Sequence, residues 1–551
     1  MSAGIGVKKG VITSQAVLIP MLCIILLVSC AYPDSTPSSS PVPATTSISS
    51  TSQPDSTLVP FPDISPDPTS PQTSPTAPPQ LTPVESTFLP TPLSQIPARY
   101  DLEAVFDYTR HSLSVSEVIG YINYAPHDLV DLVLVVESNR WPGGFALISM
   151  TWEDGQDIDP YELKDNQLHI PLPQPLRSGE SLGLKLNYQL QLPEIPAPSE
   201  LYRPVPYGYT GRQTNIVDWY PYIPPYLDGQ GWLAHSKWWF GEHQVFDVAD
   251  YQVRLTLAEP VQDLIIAASA PAEQDGDSYA YQLAAARTFA LSASTEYLVQ
   301  TTHVGKVVIY SYAFPFDEYA GQEVLQNTAD ALQLYSELIM PYPRSSLSVV
   351  EADFLDGMEY DGLFFLSHGF YDLYDGTPKG YLTFIAAHET AHQWWFGLVG
   401  NDQALEPWLD EALCTYMEHV FYENVYSDYP PGSGESLVDW WWYYRVNFYE
   451  PGGWLDRSIY DFNQFRPYRD AIYLNGAKFL DDLRNLVGDQ AFFAFLRDYA
   501  RQNSYHLATS EDFFTILQGY TSKDLDGLLA EYFHPPIYFP SSCQSPSLQL
   551  E

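Results

Sequence analysis

The sequence predicts a multidomain α+β protein in which an all-β sandwich or saddle domain precedes a mainly helical domain. Short runs of alternating apolar and polar residues, separated by proline and glycine, occupy residues 98–304 and are typical of strands buried on one face. Helical spacing of apolar residues replaces this pattern over residues 305–535. A chain of 551 residues is long enough for two or three domains with their own cores.

Residues 1–29 have the organisation of a signal peptide. Lys8 and Lys9 precede an apolar run, AVLIPMLCIILLVSC, that ends at Cys30. Its last four residues, LVSC, resemble the lipobox of bacterial lipoproteins, in which the signal peptide is cleaved and the new N-terminal cysteine carries lipid. We therefore expect lipidation of Cys30, with an uncleaved N-terminal anchor as the alternative. Both predict an extracytoplasmic, cell-surface protein tethered to the membrane, because no second long apolar run follows.

The next segment, residues 30–97, reads as a disordered tether. It is dense in proline, serine and threonine, and residues 31–97 contain no lysine or arginine. Such a composition cannot bury enough apolar surface to fold. Residues 536–551 are expected to form a short tail.

The formal net charge of −43 argues against nucleic acid and anionic membrane surfaces as partners, since both would repel the chain. Contact with the membrane is therefore expected only through the N-terminal lipid or anchor. The chain has only four cysteines, too few and too scattered for a disulfide framework.

The strand prediction for residues 98–304 rests on three segments. Two of them, SLGLKLNYQLQLP and DYQVRLTLAEP, place an apolar residue at every second position. The third, DLVDLVLVVES at 128–138, is more continuously apolar and is typical of a buried strand. In the following domain, EVLQNTADALQLYSELI at 323–339 predicts an amphipathic helix and PYPRSSLSVVEADF predicts a strand. The aromatic run DWWWYYRVNFYE at 439–450 is compatible with either core packing or a pocket wall.

The segment FIAAHETAHQWWFG contains two histidines, His388 and His392, four residues apart. At 100° per residue, this spacing turns both imidazoles to one face of a helix, one turn apart, where they can reach a single cation. Glu389 lies about 100° around the same helix, in a position to contact water beside the metal without binding the metal itself.

A catalytic zinc site takes three protein ligands and leaves a further position open. A second predicted helix, EPWLDEALCTYMEHVFYE at 406–423, carries Glu411 in its first turns and can supply the third ligand. Glu418, seven residues later, lies on nearly the same face and is expected to hydrogen-bond one histidine and orient its ring.

These motifs resemble the aminopeptidase N-type gluzincin metallopeptidases, whose core is HExxH, eighteen residues and a glutamate, commonly within AHQWFG and WLNEGFA. This chain reads AHQWWFG and WLDEALC, with 18 residues between His392 and Glu411. The family's G-x-M-E-N strand matches DGMEYDG at 356–362, with Tyr360 in place of asparagine. Its Y-E-K-G segment matches AIYLNGAKFL, which supplies Tyr473. The likeness covers most of residues 98–535.

The resemblance implies a thermolysin-like catalytic domain over residues 305–535 and one Zn²⁺ per chain, bound by the two histidines and Glu411. Glu389 would take a proton from the attacking water, and Tyr473 would donate a hydrogen bond to the developing oxyanion. The strand with Gly357, Met358 and Glu359 would bind the substrate, with the Glu359 carboxylate contacting its free α-ammonium group.

The expected function is therefore zinc-dependent hydrolysis of peptides with a free N-terminus, releasing their first residues outside the cell. A zinc endopeptidase with the same site is one alternative. The other is a non-catalytic, peptide-binding surface lipoprotein with a vestigial zinc site. The second is disfavoured by the presence of Glu389 and Tyr473, since a structural zinc site needs neither a base nor an oxyanion donor.

Overall fold

A computed structural model of the chain describes residues 96–197 and 205–534. The expectations for the signal peptide, Cys30, nearly all of the tether and the tail at 536–551 lie outside the described residues. Among the described residues, no helix combines the length and the apolar character that crossing a membrane requires.

The first half of the described chain is built from strands, as its alternating sequence predicts. The strands in chain order are β1 Ala98–Asp107, β2 Ser112–Ile122, β3 Leu129–Val135, β4 Phe145–Trp152, β5 Glu162–Lys164, β6 Gln167–Leu176, β7 Ser181–Gln191, β8 Gly208–Tyr209, β9 Thr214–Ile216, β10 Tyr226–Leu227, β11 Gly231–Trp232, β12 Ala249–Leu257, β13 Ile265–Ala268, β14 Glu273–Asp275, β15 Ser278–Ala286 and β16 Leu291–Ser294.

A seven-stranded sheet in the order β14-β15-β12-β1-β2-β7-β4 forms the largest layer of this region. Its apolar side chains face one core: along β7, Leu184, Leu186, Tyr188 and Leu190 are buried while the residues between them are not. The β12 strand shows the same alternation. Both period-two predictions are confirmed, because an amphipathic strand buries only one face of its sheet.

A second sheet of five strands begins the helical half. Its strands are β17 Leu298–Val304, β18 Val307–Ala313, β19 Ser346–Ala352, β20 Gly357–Tyr360 and β21 Leu363–Ser367, in the spatial order β17-β18-β19-β21-β20. Strands β18, β19 and β21 run parallel, and β20 pairs antiparallel at the edge. The domain boundary expected after residue 304 falls in the turn between β17 and β18, so this sheet takes its first strand from the region assigned to the β-rich domain.

Helices make up most of the remaining described chain. They are α1 Glu318–Leu338, α2 His368–Asp372, α3 Tyr381–Ala391, α4 Trp408–Val425, α5 Val438–Trp441, α6 Phe465–Arg469, α7 Asn475–Val487, α8 Asp489–Gln502, α9 Ser510–Gln518 and α10 Asp526–Tyr532. The predicted amphipathic helix is present as α1, although it begins at Glu318 rather than at Glu323. The predicted order of a β-rich region followed by a mainly helical one is confirmed.

The five-stranded sheet separates two hydrophobic cores. On β21, Phe364 and Leu366 pack with the helical core, whereas Leu363 and Phe365 pack with the core of the β-rich domain. Because successive side chains of a strand point to opposite faces, a strand covered on both sides is apolar throughout. The sheet thereby holds β20 against helix α3, which carries the histidine pair.

Candidate metal centre and active site

Helix α3 places His388 and His392 side by side in the protein interior. Every residue of this helix from Leu382 to Ala391 is buried, as expected for a helix that is apolar on all sides. His392 lies one residue beyond the helix end but keeps right-handed helical backbone angles, φ −60° and ψ −16°. The two rings therefore remain one turn apart, with centroids separated by 4.9 Å.

Glu411 approaches the pair from the first turns of helix α4. Its Oε2 lies 3.2 Å from His388 Nε2 and 3.7 Å from His392 Nε2. A tetrahedral zinc site with bonds of 2.0–2.1 Å has edges of roughly 3.3 Å between ligand atoms. The donor set of two imidazoles and one carboxylate is one that zinc prefers, and its spacing matches such an edge. The three residues therefore fit a zinc ion.

The charges of this group are strongly coupled. Burial lowers the pKa of His388, but hydrogen bonds with Glu411 and Glu418 outweigh that effect and raise it to about 9. Burial opposes ionisation of Glu411, yet its bonds with the two histidines hold the pKa of this carboxyl far below its usual range. The pKa of His392 is raised as well, so both rings favour the protonated form beside the Glu411 carboxylate. A divalent cation can replace these protons.

Glu418 orients His388 as the spacing on α4 predicts. Its Oε1 accepts a hydrogen bond from His388 Nδ1 at 3.0 Å. Arg445 holds both carboxylate oxygens, at 2.8 and 2.7 Å, and the Trp441 indole donates to Oε2 at 3.1 Å. Burial alone would raise the pKa of Glu418, but the Arg445 guanidinium outweighs burial and lowers the pKa below its usual value. The group is therefore held as a carboxylate. The His388 ring is thereby fixed with Nε2 directed toward Glu411.

Glu389 reaches the same pocket from α3. Its side chain is buried, and its Oε2 has no hydrogen-bond partner among the described residues. Gly357 makes its position attainable, because a Cβ at residue 357 would lie 2.0 Å from Glu389 Oε1. Burial raises the pKa of Glu389 to about 8, with His392 and His388 opposing the rise and Glu359 contributing to it.

Strand β20 brings Glu359 beside this group. One ligand-type atom each of Glu359, Glu389 and His392 lies within 4.8 Å of the others, and Gln403 donates to Glu359 Oε1 at 3.1 Å. Burial raises the pKa of Glu359, although the positive charge of His392 opposes this rise. Met358 packs instead against the core of the β-rich domain, because neighbouring residues of a strand face opposite sides. Met358 can therefore meet a substrate through its backbone but not through its side chain.

Tyr473 contacts two of the proposed metal ligands, Glu411 and His388. It belongs to a π-helical turn, Asp470–Leu474, and its hydroxyl donates to Glu411 Oε1 at 2.5 Å. Its ring stacks on His388 with an interplanar angle of 8°. Burial, followed by the charge of Glu411, raises the pKa of Tyr473 well above its usual range, so the phenol remains a proton donor.

Each expected site residue within the described chain therefore joins this centre, except for the side chain of Met358. Sequence reasoning missed several neighbours. Gln403 and Arg445 are far in sequence from the groups they bind, and no spacing pattern indicates them. Glu242 comes from the β-rich domain, and burial together with Glu411 and Glu359 raises its pKa well above the usual range. Asp410, beside Glu411 in the first turn of α4, is also buried, and burial and Glu411 raise its pKa to about 8.

The geometry agrees with the comparison of this chain with known protein families. Residues 323–532 match the Peptidase family M1 domain. The matched residues include the two histidines, Glu411 and Tyr473. The resemblance seen in the motifs to aminopeptidase N-type enzymes is thereby supported over the helical half of the chain.

Curated relatives of the M1 domain are distant. The chain is 24% identical over 247 residues to Aminopeptidase M1-D of Oryza sativa subsp. japonica, a match that covers 42% of this chain and 27% of the relative. It is 22% identical over 162 residues to Aminopeptidase N of Lactococcus lactis subsp. lactis, covering 28% of this chain and 18% of that protein. The chain thus spans about a quarter or less of the length of these relatives.

Solved structures extend the likeness to both domains. An M1 zinc metallopeptidase from Deinococcus radiodurans superposes with a TM-score of 0.55 at 19% identity, over 81% of this chain and 96% of that one. The same values hold for a complex of that enzyme with a Tyr-Ser-Ala substrate. At this identity the match establishes the fold, a β-rich N-terminal domain followed by a mainly helical domain, and confirms the predicted fold class.

Proposed function

We propose that this chain is a zinc-dependent aminopeptidase that releases N-terminal residues from peptides outside the cytoplasm. One observation carries the proposal: Glu389 Oε2, a buried carboxylate oxygen with no hydrogen-bond partner in the described part of the chain, lies in the same pocket as the zinc-type ligands His388, His392 and Glu411. A structural zinc site has no use for such a group, whereas a hydrolase needs a base there.

When bound, zinc supplies Lewis acidity, which polarises a peptide carbonyl and lowers the pKa of water to near neutrality. Glu389 accepts a proton at Oε2 from the attacking water. Its raised pKa suits this role, because a base whose pKa lies near the working pH both takes up and releases a proton readily. Tyr473 then donates its phenolic hydrogen bond to the oxygen on which negative charge develops.

The aminopeptidase assignment depends on Glu359. Its carboxylate is buried beside Glu389 and receives a hydrogen bond from Gln403, so it is available to pair with a substrate's α-ammonium group. The edge position of β20 leaves one side of that strand for an extended peptide to pair with. A peptide bound in this way presents its first peptide bond to the base.

The extracytoplasmic setting is supported by the sequence of residues 1–30 alone. Two lysines, an apolar run and the lipobox-like end at Cys30 favour export followed by lipid attachment. Expression of the full chain in a bacterial host, with cell fractionation and mass spectrometry of the mature N-terminus, tests this part. An N-terminal lipid on Cys30 supports the proposal, and a soluble cytoplasmic chain with an intact N-terminus contradicts it.

The catalytic proposal is tested with the purified full chain and aminoacyl amide reporters. We expect hydrolysis that a chelator abolishes and added Zn²⁺ restores. Glu389→Gln should retain zinc but lose activity by about 10²–10⁴-fold, the usual contribution of a general base. Glu337→Gln, an exposed glutamate of helix α1, is the matched control and should be fully active. A Glu389→Gln variant as active as the wild type would overturn the assignment.

A zinc endopeptidase with the same site is the second candidate. It is distinguished by comparing peptides with free and acetylated N-termini. The aminopeptidase proposal expects cleavage of the free peptide alone, and Glu359→Gln should remove that preference. Equal rates on both peptides in the wild type would favour the endopeptidase and leave Glu359 without its proposed role.

A further inference from the structure

A second group of metal-ligand side chains lies at the carboxyl ends of three parallel strands. Asp317 follows β18, Glu351 is near the end of β19, and His368 directly follows β21. Because the carboxyl ends of neighbouring parallel strands meet at one edge of a sheet, the fold brings these three residues together. None of them belongs to the centre formed by His388, His392 and Glu411.

The three side chains point at a common position. His368 Nδ1 lies 2.5 Å from Glu351 Oε1 and 3.5 Å from Asp317 Oδ2. One ligand atom from each residue lies within 4.8 Å of the others. The second ring nitrogen, His368 Nε2, is 3.3 Å from Asp372 Oδ2. A carboxylate beside the far ring nitrogen is common around histidines that bind metal through the other nitrogen.

Asp317 gives an independent indication of a missing partner. Its side chain is 5% exposed, and its Oδ2 has no hydrogen-bond donor among the described residues. The groups that act on it include the His368 ring, 3.5 Å away, and the carboxyl group of Glu351, which has the same charge sign when ionised. Glu351 directs its other oxygen, Oε2, to the Phe314 N–H at 2.7 Å, leaving Oε1 for the shared position. A buried carboxylate oxygen that accepts no hydrogen bond is costly unless a nearby positive charge compensates it.

The charge balance points the same way. When ionised, the carboxyl groups of Asp317, Glu351 and Asp372 exceed the charge of a doubly protonated His368 by two, and burial raises the pKa of Asp317 and of Glu351. Arg212 is close by but is already engaged with Asp353, at 3.1 and 3.0 Å from its Nε. A divalent cation would neutralise this excess, and His368, with 29% of its side chain exposed, gives it a route from solvent.

We propose that Asp317, Glu351 and His368 form a second metal site, which binds a divalent transition-metal cation such as Zn²⁺. One imidazole and two carboxylates are a donor set for this class, since Ca²⁺ and Mg²⁺ sites rarely use histidine. The cation would tie the start of helix α1 to β19 and to helix α2, and so brace the carboxyl ends of the strands next to β20. The site is independent of the proposed peptidase activity.

Metal counting with the purified full chain tests this proposal. After chelator treatment, reloading with Zn²⁺ and dialysis, elemental analysis should find two ions per wild-type chain. The double variant His388→Ala/His392→Ala, which lacks the M1 centre, should retain one ion, and adding Asp317→Asn should remove it. Glu318→Gln in the double variant is the matched control, since it removes an exposed negative charge next to Asp317, and it should leave one ion. A double variant that binds no zinc would overturn the proposal, whatever the outcome of the peptidase assays.

Thermal unfolding provides a measurement that does not depend on recovery of each variant after dialysis. Zn²⁺ should raise the unfolding midpoint of the His388→Ala/His392→Ala chain, because a ligand bound only by the folded state stabilises it. The midpoint of the same chain with Asp317→Asn should not respond to Zn²⁺. Equal midpoints of the double variant with and without Zn²⁺ would show that a proton, and not a metal, holds the three side chains together.

Discussion

Replacing Gly357 by alanine puts a methyl group into the space that the Glu389 carboxylate occupies. The added Cβ would lie 2.0 Å from Oε1, 2.6 Å from Cδ and 2.9 Å from Cγ of Glu389. These atoms belong to the proposed general base, so the side chain that must yield is the one on which the chemistry depends. The backbone of residue 357 lies in strand β20, which pairs with β21 and has little freedom to withdraw.

The size of the effect follows from the overlap. Ordinary van der Waals contact begins at 3.4 Å, so Oε1 has to retreat by about 1.4 Å. A displacement of about 1 Å from the productive geometry costs on the order of 10²-fold in rate. We therefore expect kcat/KM to fall about 10²-fold, equivalent to about 2.7 kcal/mol of transition-state stabilisation. The loss should not exceed that of Glu389→Gln.

The assay compares Gly357→Ala with wild type on an aminoacyl amide reporter, alongside zinc content by elemental analysis. Zinc content should be unchanged, because the clash involves no metal ligand. Gly380→Ala is the control: it precedes helix α3, has extended backbone, and a Cβ there meets nothing within 4 Å. A Gly357→Ala enzyme with wild-type kcat/KM would refute the placement of Glu389, and a loss of zinc would refute the proposed cause.

Three further changes probe other parts of the site and the fold. Tyr473→Phe removes the oxyanion donor and should lower kcat by about 10²–10³-fold with zinc retained. Glu418→Gln frees the His388 ring and should weaken zinc affinity by about 10–100-fold in a chelator competition. Burial opposes ionisation of Glu137, but His243 and Arg140 lower its pKa to about 2, so this carboxylate stabilises the fold above its unfolded pKa of 4.5. About 3 kcal/mol should be lost as pH falls from 4.5 to 2, and Glu137→Gln should abolish this part of the pH dependence of urea unfolding.

Each of these outcomes has a clear contrary result. Tyr473→Phe with unchanged kcat would assign the tyrosine to packing on His388. Unchanged zinc affinity in Glu418→Gln would mean that helix α3 alone fixes the ring. For Glu137, parallel pH profiles of wild type and Glu137→Gln between pH 5 and about pH 2.5 would show that its partners do not stabilise the carboxylate.

The features predicted from sequence are those whose physical cause is local. The four-residue spacing of His388 and His392 places both rings on one helix face wherever that helix lies, because helical periodicity is a property of the backbone. The same holds for strands β7 and β12, whose alternating apolar residues predict one buried face in whatever sheet these strands join. The boundaries of elements were less predictable: α1 begins at Glu318, directly after a 3-10 turn at Pro315–Asp317, rather than at Glu323, where the apolar repeat starts.

The third metal ligand needed more than periodicity. The helix predicted over 406–423 carries Glu411 in its first turns, but whether a connection of 18 residues brings that carboxylate to the histidines depends on how the two helices pack. The residues that hold Glu359 and Glu418 in place could not be recognised from the sequence. Gln403 reaches Glu359 across 44 positions, and Arg445 reaches Glu418 across 27, and neither separation corresponds to a helix or strand period.

By itself, the sequence determined the order of a β-rich and a helical domain, the face of α3 that carries two imidazoles, and the acid beside them. Only the tertiary structure decided that Glu389 fits beneath a glycine of β20, that Arg445 secures Glu418, and that Asp317, Glu351 and His368 converge at one sheet edge. The reason is physical: periodicity orients side chains about their own segment, whereas the approach of two segments depends on how both cores pack against the shared sheet.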